Sequence, residues 1–220
     1  MIEIPALAAG DTLICTLRHG LTELNRDKRI GGQLLDVPLL AEGIRQAEEA
    51  RAAFAGTTVD VVIASPLTRA IQTAEIVTGW SREAIVIDAR CTERSFGRME
   101  GLTRAQVEDQ FPDVRYLQIG HIGYSLNPPE GEPFPALQAR ARQFLSWVLD
   151  RYRGCRVLIS SHQNFLQQLH AVLSGEDSFE ALRRDILNLE LNLFHLDSHD
   201  RVRGRQTIQL VPSAAHHPSF

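Results

Sequence analysis

Two histidines, two arginines and a glutamate stand out in this 220-residue sequence because each follows a short apolar run. Arg18-His19-Gly20 comes after the run 13–17, Ser65-Pro66-Leu67-Thr68-Arg69 after 59–64, Cys91-Thr92-Glu93-Arg94 after 84–87, and Ser161-His162 after 156–160. Short apolar runs bounded by turn residues read as strands of a buried sheet, and α/β sheets place ligands beyond the carboxyl ends of their strands. Arginine forks match the oxygens of a phosphoryl group. An imidazole crowded by arginines is held neutral near pH 7 and can attack phosphorus. A nearby carboxyl can protonate the leaving oxygen and then deprotonate water. The five side chains together suffice for phosphoester cleavage without a metal.

The elements that must position them follow from periodicity. The spacing predicts strands over 13–17, 59–64, 84–87, 156–160, 191–196 and 207–211, and helices over 41–54, 68–78, 103–110, 137–152 and 164–173. Strand and helix alternate, the pattern of a βαβ build in an α/β fold. The length fits one domain, 1–220, with no linker and no internal repeat. Segment 111–134, with three glycines and four prolines, reads as a long loop acting as a lid over the leaving group, with Arg115, Tyr116, His121 and Tyr124 on it. Residues 212–220 read as a frayed tail. The strand at 191–196 reads as an exposed sheet edge, compatible with a homodimer.

Composition removes several classes. With 23 Lys and Arg against 27 Asp and Glu, the net charge of -4 argues against a nucleic-acid partner, while a few focused arginines still make a positive pocket. Cys15, Cys91 and Cys155 are odd in number and widely spaced, which reads as reduced thiols. The start, 1–10, has no cationic residue and too short an apolar run for a signal peptide, and no later run reaches membrane-spanning length. The expectation is a soluble, cytoplasmic protein with no membrane partner. There is no phosphate-binding Gly-Lys loop and no dinucleotide turn, so no cofactor is expected, and 123–127 lacks the last glycine of a hydrolase elbow. His195 and His199 flank Asp197 in what reads as a polar turn rather than a metal cluster. His121, His170 and the pair His216-His217 lie outside the reacting set.

Four strings, taken in order, carry a resemblance: LRHGLTELN at 17–25, ASPLTRAIQTAE at 64–75, TERSFGRMEG at 92–101 and LISSHQNF at 158–165. Each alone has a bland reading as a strand-end histidine, a capped helix or a solvated charge pair; the four together resemble the histidine phosphatase superfamily, the phosphoglycerate mutase-like family, from 13 to about 211. The resemblance implies a three-layer α/β/α sandwich with a mostly parallel sheet. It makes His19 the nucleophile that becomes phosphohistidine, sets Arg18, Arg69 and His162 on the phosphoryl oxygens, and makes Glu93 the proton donor and then the base. Asn25 is an additional donor, and Thr22, Gln163 and Arg94 join it as candidate substrate-binding residues. Asp36, Pro38, Leu39 and Gly43 resemble the family's run into its first helix, a structural part.

The chain departs from the family at three points. Gln163 stands where glycine usually follows the second histidine, Met99 where an aromatic is frequent, and Gly131-Glu132-Pro133 where Gly-Glu-Ser is usual. Three readings stay open: a phosphomonoesterase acting on a small phosphorylated metabolite, a bisphosphoglycerate-dependent phosphomutase, and a binding module without turnover. The first is favoured because the stretch from Glu93 to His162 is short for a mutase's insertions. Arg94 and Arg98 are candidates for a second anion, which suggests a sugar phosphate or a carboxylated phosphoester.

Overall fold

The computed structural model describes residues 7–211. The 212–220 tail, with His216 and His217, lies outside them. Six strands form one sheet, in the order β3 (Val86–Ile87), β2 (Val61–Ala64), β6 (Arg156–Ser161), β1 (Thr12–Arg18), β7 (Glu190–Leu196) and β8 (Val202–Gln209). The first four run parallel, while β7 is antiparallel to β1 and β8 to β7.

Parallel strands buried on both faces need apolar side chains at successive positions, and these strands have them. Leu13, Cys15 and Leu17 of β1 enter one core together with Val62, Ala64 and Leu158, and Ile14 enters the other with Ile63, Val157 and Ile159. Apart from the short α1 (Glu23–Arg26) and α4 (Arg104–Gln110), the helices cover the two faces of the sheet, and α2 (Ala41–Phe54) and α3 (Thr68–Thr78) cover the first through Ala47, Ala50, Ala74 and Val77. Helices α5 (Phe134–Tyr152) and α6 (Gln163–Ser174) cover the second through Leu137, Phe144, Phe165 and Leu169. The result is the expected three-layer α/β/α arrangement.

Register brings the motifs together. Leu17 of β1 and Ala64 of β2 both lie opposite Ser160 of the intervening β6, so the three strands end level. The His19 N–H continues the ladder to the Ser161 carbonyl at 3.0 Å, and the Ser65 N–H to the Ser160 carbonyl at 3.1 Å. Behind them, a Cβ at Gly43 would stand 2.3 Å from the Leu21 carbonyl oxygen, so glycine lets α2 press against the loop that follows His19.

Three expectations need correction. Segment 111–134 is not one loop: Tyr116–Ile119 (β4) and Ile122–Ser125 (β5) form an antiparallel hairpin around Gly120 and His121. The strand expected at 84–87 shrinks to Val86–Ile87, because 82–84 winds into a 3-10 turn. Strand β7 is interior, since the turn 197–201 sends the chain back as β8 and covers it; the edge is β8, and the homodimer argument built on 191–196 loses its basis. That turn is held by the Asp197 carboxylate, which accepts the backbone N–H groups of His199 and Arg201. His195 Nε2 lies 2.6 Å from Asp11 instead. Among the described residues no group of three or more His, Cys, Asp or Glu side chains is placed to hold a metal ion, and no helix is long and apolar enough to cross a membrane.

Candidate active site

His19 is 5% exposed at the end of β1, and its Nδ1 stands 2.8 Å from the Gly20 carbonyl. A carbonyl only accepts, so Nδ1 carries the proton and the neutral ring keeps its lone pair on Nε2. Burial holds the pKa of His19 well below the usual imidazole range, and Arg69 and Arg18 push it further down. Two further bonds fix its backbone: Asn188 Nδ2 donates to the His19 carbonyl at 2.7 Å, and the Gly20 N–H donates to Thr73 Oγ1 of α3 at 3.0 Å.

His162 opens α6, with its ring centroid 5.1 Å from that of His19. Its Nε2 pairs with Ser65 Oγ at 2.7 Å, and Ser65 Oγ also accepts the Leu67 N–H. Donation of the Ser65 hydroxyl proton to Nε2 completes that set and leaves the buried His162 Nδ1 as an N–H with no partner among the described residues. Burial, then Arg69, His19 and Arg18, hold this imidazole neutral too.

The two arginines reach the same point from different elements. Arg18, the last residue of β1, donates through Nη1 to the Ile186 carbonyl. Arg69, on the first turn of α3, donates to the carbonyls of Gly32 at 2.9 Å and Leu35 at 3.2 Å. The same 32–36 loop caps α3, because the Asp36 carboxylate accepts the Thr68 N–H and hydroxyl, each at 2.7 Å. One loop therefore sets both the helix and the guanidinium it carries.

Glu93, 7% exposed, accepts the N–H of Phe165 at 3.1 Å and of Arg94 at 2.8 Å on Oε1, and that of Asn164 at 3.3 Å on Oε2. Two of these donors belong to the first turn of α6, whose N–H groups have no partner within the helix and are met by the Glu93 side chain. Arg94 is fully buried, with its guanidinium 3.7 Å from the Phe134 ring centroid and Nε on the Glu132 carbonyl, while Nη1 and Nη2 have no hydrogen-bond partner among the described residues. Burial pushes its pKa down to about 10.

A cavity of about 730 Å³ opens onto these groups except His162, which is fully buried. Arg18, His19, Arg69, Glu93 and Arg94 line it, with Thr22, Asn25 and Gln163; the hairpin contributes Tyr116, His121, Ile122 and Tyr124. Six cationic side chains line it against two carboxylates, Glu93 and Glu108, so a chain of net charge -4 concentrates positive potential in this cleft.

Residues 14–207 match the histidine phosphatase superfamily (branch 1). The chain belongs to this family. Among its relatives, the bifunctional protein Rv2228c of Mycobacterium tuberculosis is 32% identical over 198 residues, which is 87% of this chain and 53% of that protein. This chain thus spans about half the length of that relative. The uncharacterized phosphatase PhoE of Bacillus subtilis is 31% identical, with 76% of this chain and 79% of that one aligned. The solved structure of Bacillus stearothermophilus YhfR superposes with a TM-score of 0.76 at 26% identity, covering 87% of this chain and 94% of that one.

In this member of the family, four of the five residues singled out from the sequence, Arg18, His19, Arg69 and Glu93, line one cavity, while His162 is fully buried beside His19, and the secondary candidates divide. Asn25 lines it with its Oδ1 in a capping box with Thr22, so the Asn25 amide NH2 is the group left for a ligand and the Thr22 hydroxyl is engaged. Gln163 turns its amide onto Asp185 Oδ1 at 2.9 Å, so the side chain that replaces glycine is tied to a neighbouring loop. Arg98 is exposed, stacks 5.0 Å from the Phe111 ring centroid and lies outside the cavity lining, as does Arg115; a second anion finds Arg94 alone of the expected pair. Sequence reading missed Asp36 as the cap of α3, Asn188 and Arg140. Asp36 and Thr68 are 32 residues apart and Asn188 and His19 are 169 apart, separations that carry no local signal.

Proposed function

We propose that the protein is a metal-independent phosphomonoesterase that works through phosphohistidine on His19. His19 Nε2 attacks phosphorus while Arg18, Arg69, the His162 Nδ1–H and the Asn25 amide hold the phosphoryl oxygens, and the N–P bond forms as the P–O bond to the leaving group breaks. Glu93 gives its proton to the leaving oxygen. Water then attacks phosphorus, Glu93 takes its proton, the N–P bond breaks and phosphate leaves. The observation that carries this reading is an imidazole whose Nδ1 is committed to a carbonyl, in one cavity with two buried guanidinium groups and a buried carboxyl.

The substrate we propose is a small phosphorylated metabolite with a second anionic or hydroxylated group, a sugar phosphate or a carboxylated phosphoester. Support comes from the two Arg94 NH2 groups, buried beside the cavity without an acceptor among the described residues. Release of phosphate from p-nitrophenyl phosphate and a panel of sugar phosphates is measured in EDTA, with His19→Ala alongside. The expected result is turnover that survives chelation and falls at least about 10³-fold in the variant. Isomerisation of 3-phosphoglycerate after priming with bisphosphoglycerate, without phosphate release, moves the assignment to a mutase. Binding of vanadate with neither activity leaves a binding module.

A further inference from the structure

Helix α5 carries one guanidinium whose hydrogen bonds end on the chain around Glu93. Arg140 Nη1 donates to the carbonyls of Arg90 at 2.9 Å and Thr92 at 2.8 Å, and Nη2 to the carbonyl of Glu93 itself at 3.1 Å. Its Nε and Nη2 also grip both carboxylate oxygens of Glu132, at 3.0 and 2.7 Å. Glu132 extends the brace: its carbonyl accepts Arg94 Nε at 2.7 Å, and its N–H donates to the Ser95 carbonyl at 2.8 Å. Arg140 does not line the cavity. The backbone of residues 90–95 is thus held from α5, while the Glu93 carboxylate is held by the first turn of α6.

We infer that Arg140 is a positioning residue for proton transfer, acting through Glu93 and never on the substrate. A planar fork with five donors can satisfy three carbonyls and a carboxylate at once, and no other side chain does this. Proton transfer falls off steeply with small displacements of the acid, so a loosened 90–93 segment costs most where a leaving group needs a proton. The inference rests on the reading of Glu93 as the proton donor.

Two substrates separate this role from a structural one: an alkyl phosphate, whose alkoxide must be protonated, and p-nitrophenyl phosphate, whose phenolate leaves with little help. In Arg140→Met, kcat/KM for the alkyl phosphate is expected to fall at least about tenfold further than for p-nitrophenyl phosphate. Arg140→Lys restores part of the loss. In a Glu93→Gln background the Arg140 substitution adds no further selective loss, because both act on one step. Equal losses on both substrates, or a selective loss that persists undiminished without the Glu93 carboxyl, overturn the inference. Glu132→Gln carries the same comparison if Arg140→Met fails to fold. If Glu93→Gln turns over the alkyl phosphate at the wild-type rate, the donor assignment falls and this inference with it; a selective Glu93→Gln loss beside an unselective Arg140 series removes Arg140 alone.

Discussion

At His19, one hydrogen bond and two charges decide the chemistry. The Gly20 carbonyl fixes the proton on Nδ1, and burial with Arg69 and Arg18 keeps a second proton off Nε2. Burial and the two arginines lower the pKa and outweigh the Gly20 bond, which raises it, so the ring proposed as the nucleophile stays neutral as pH falls through the ordinary imidazole range. In protein carrying 15N-labelled histidine, His19 is expected to hold the Nδ1–H tautomer and to remain uncharged below pH 6.5, the usual midpoint. Arg69→Met removes a positive neighbour and should shift any protonation upward, toward the ordinary range, with burial resisting a full return. A His19 midpoint at or above 6.5 in the intact protein, or a downward shift in Arg69→Met, would remove the physical basis for the nucleophile. The histidine and its arginine neighbours were legible as residue types at strand ends. Its tautomer was not, because that depends on where the Gly20 carbonyl points, and Ser65 could be read as a helix cap but not as the partner of His162.

Among the elements, α3 shows how one loop holds both a helix and a guanidinium of the candidate site. The helix starts without a cap of its own, and Asp36 supplies one from 32 residues away, while the carbonyls of the same loop hold Arg69. Asp36→Ala should lower stability by about 1 kcal/mol, the usual cost of a lost N-terminal cap. It should also raise the inhibition constant of phosphate several-fold, since the loop that positions Arg69 loses its anchor. Asp36→Asn keeps the acceptor and should recover most of both. Thermal unfolding and phosphate inhibition check this, and an Asp36→Ala variant matching wild type in both would show that the cap does not govern Arg69. The bounds of α2 and α3 were readable from periodicity and, for α3, from Gly79, which closes it in the left-handed conformation. Hairpin β4–β5 was not: each strand has four residues, a glycine interrupts one, and flanking prolines gave the whole segment the composition of a loop. Its signal was there in Ile119-Gly120-His121-Ile122, a two-residue turn between β-favouring side chains.

Across the whole molecule, the demand for neutral imidazoles makes acid sensitivity part of the fold. His19, His162 and His170 are all buried, and burial is the largest cause holding each well below the usual imidazole range. His170 takes no part in the proposed reaction: its Nε2 pairs with Thr16 Oγ1 at 2.8 Å, and its ring packs 4.8 Å from that of Phe194. In the unfolded chain these three groups take up protons near pH 6.5, while the folded chain refuses them. Stability is therefore complete above pH 6.5 and drains away as pH falls toward the depressed folded values, with a slope approaching about 4 kcal/mol per pH unit for three histidines. Against a typical stability of roughly 5–15 kcal/mol, such a slope unfolds the domain within a few pH units. The carboxylates whose pKa is lowered in the fold, such as Asp88, where burial is outweighed by the bonds and charge of Arg90, act in the same direction but only below their own unfolded values near pH 4. The window from pH 6.5 to 5 therefore isolates the histidines. Urea unfolding at half-unit steps across it should show a steady fall in stability, and His170→Gln, which leaves the reacting groups in place, should cut the slope by about a third. Stability flat across that window, or an unchanged slope in His170→Gln, would mean that the buried imidazoles are not held neutral, and the nucleophile assignment for His19 would lose its electrostatic support with them.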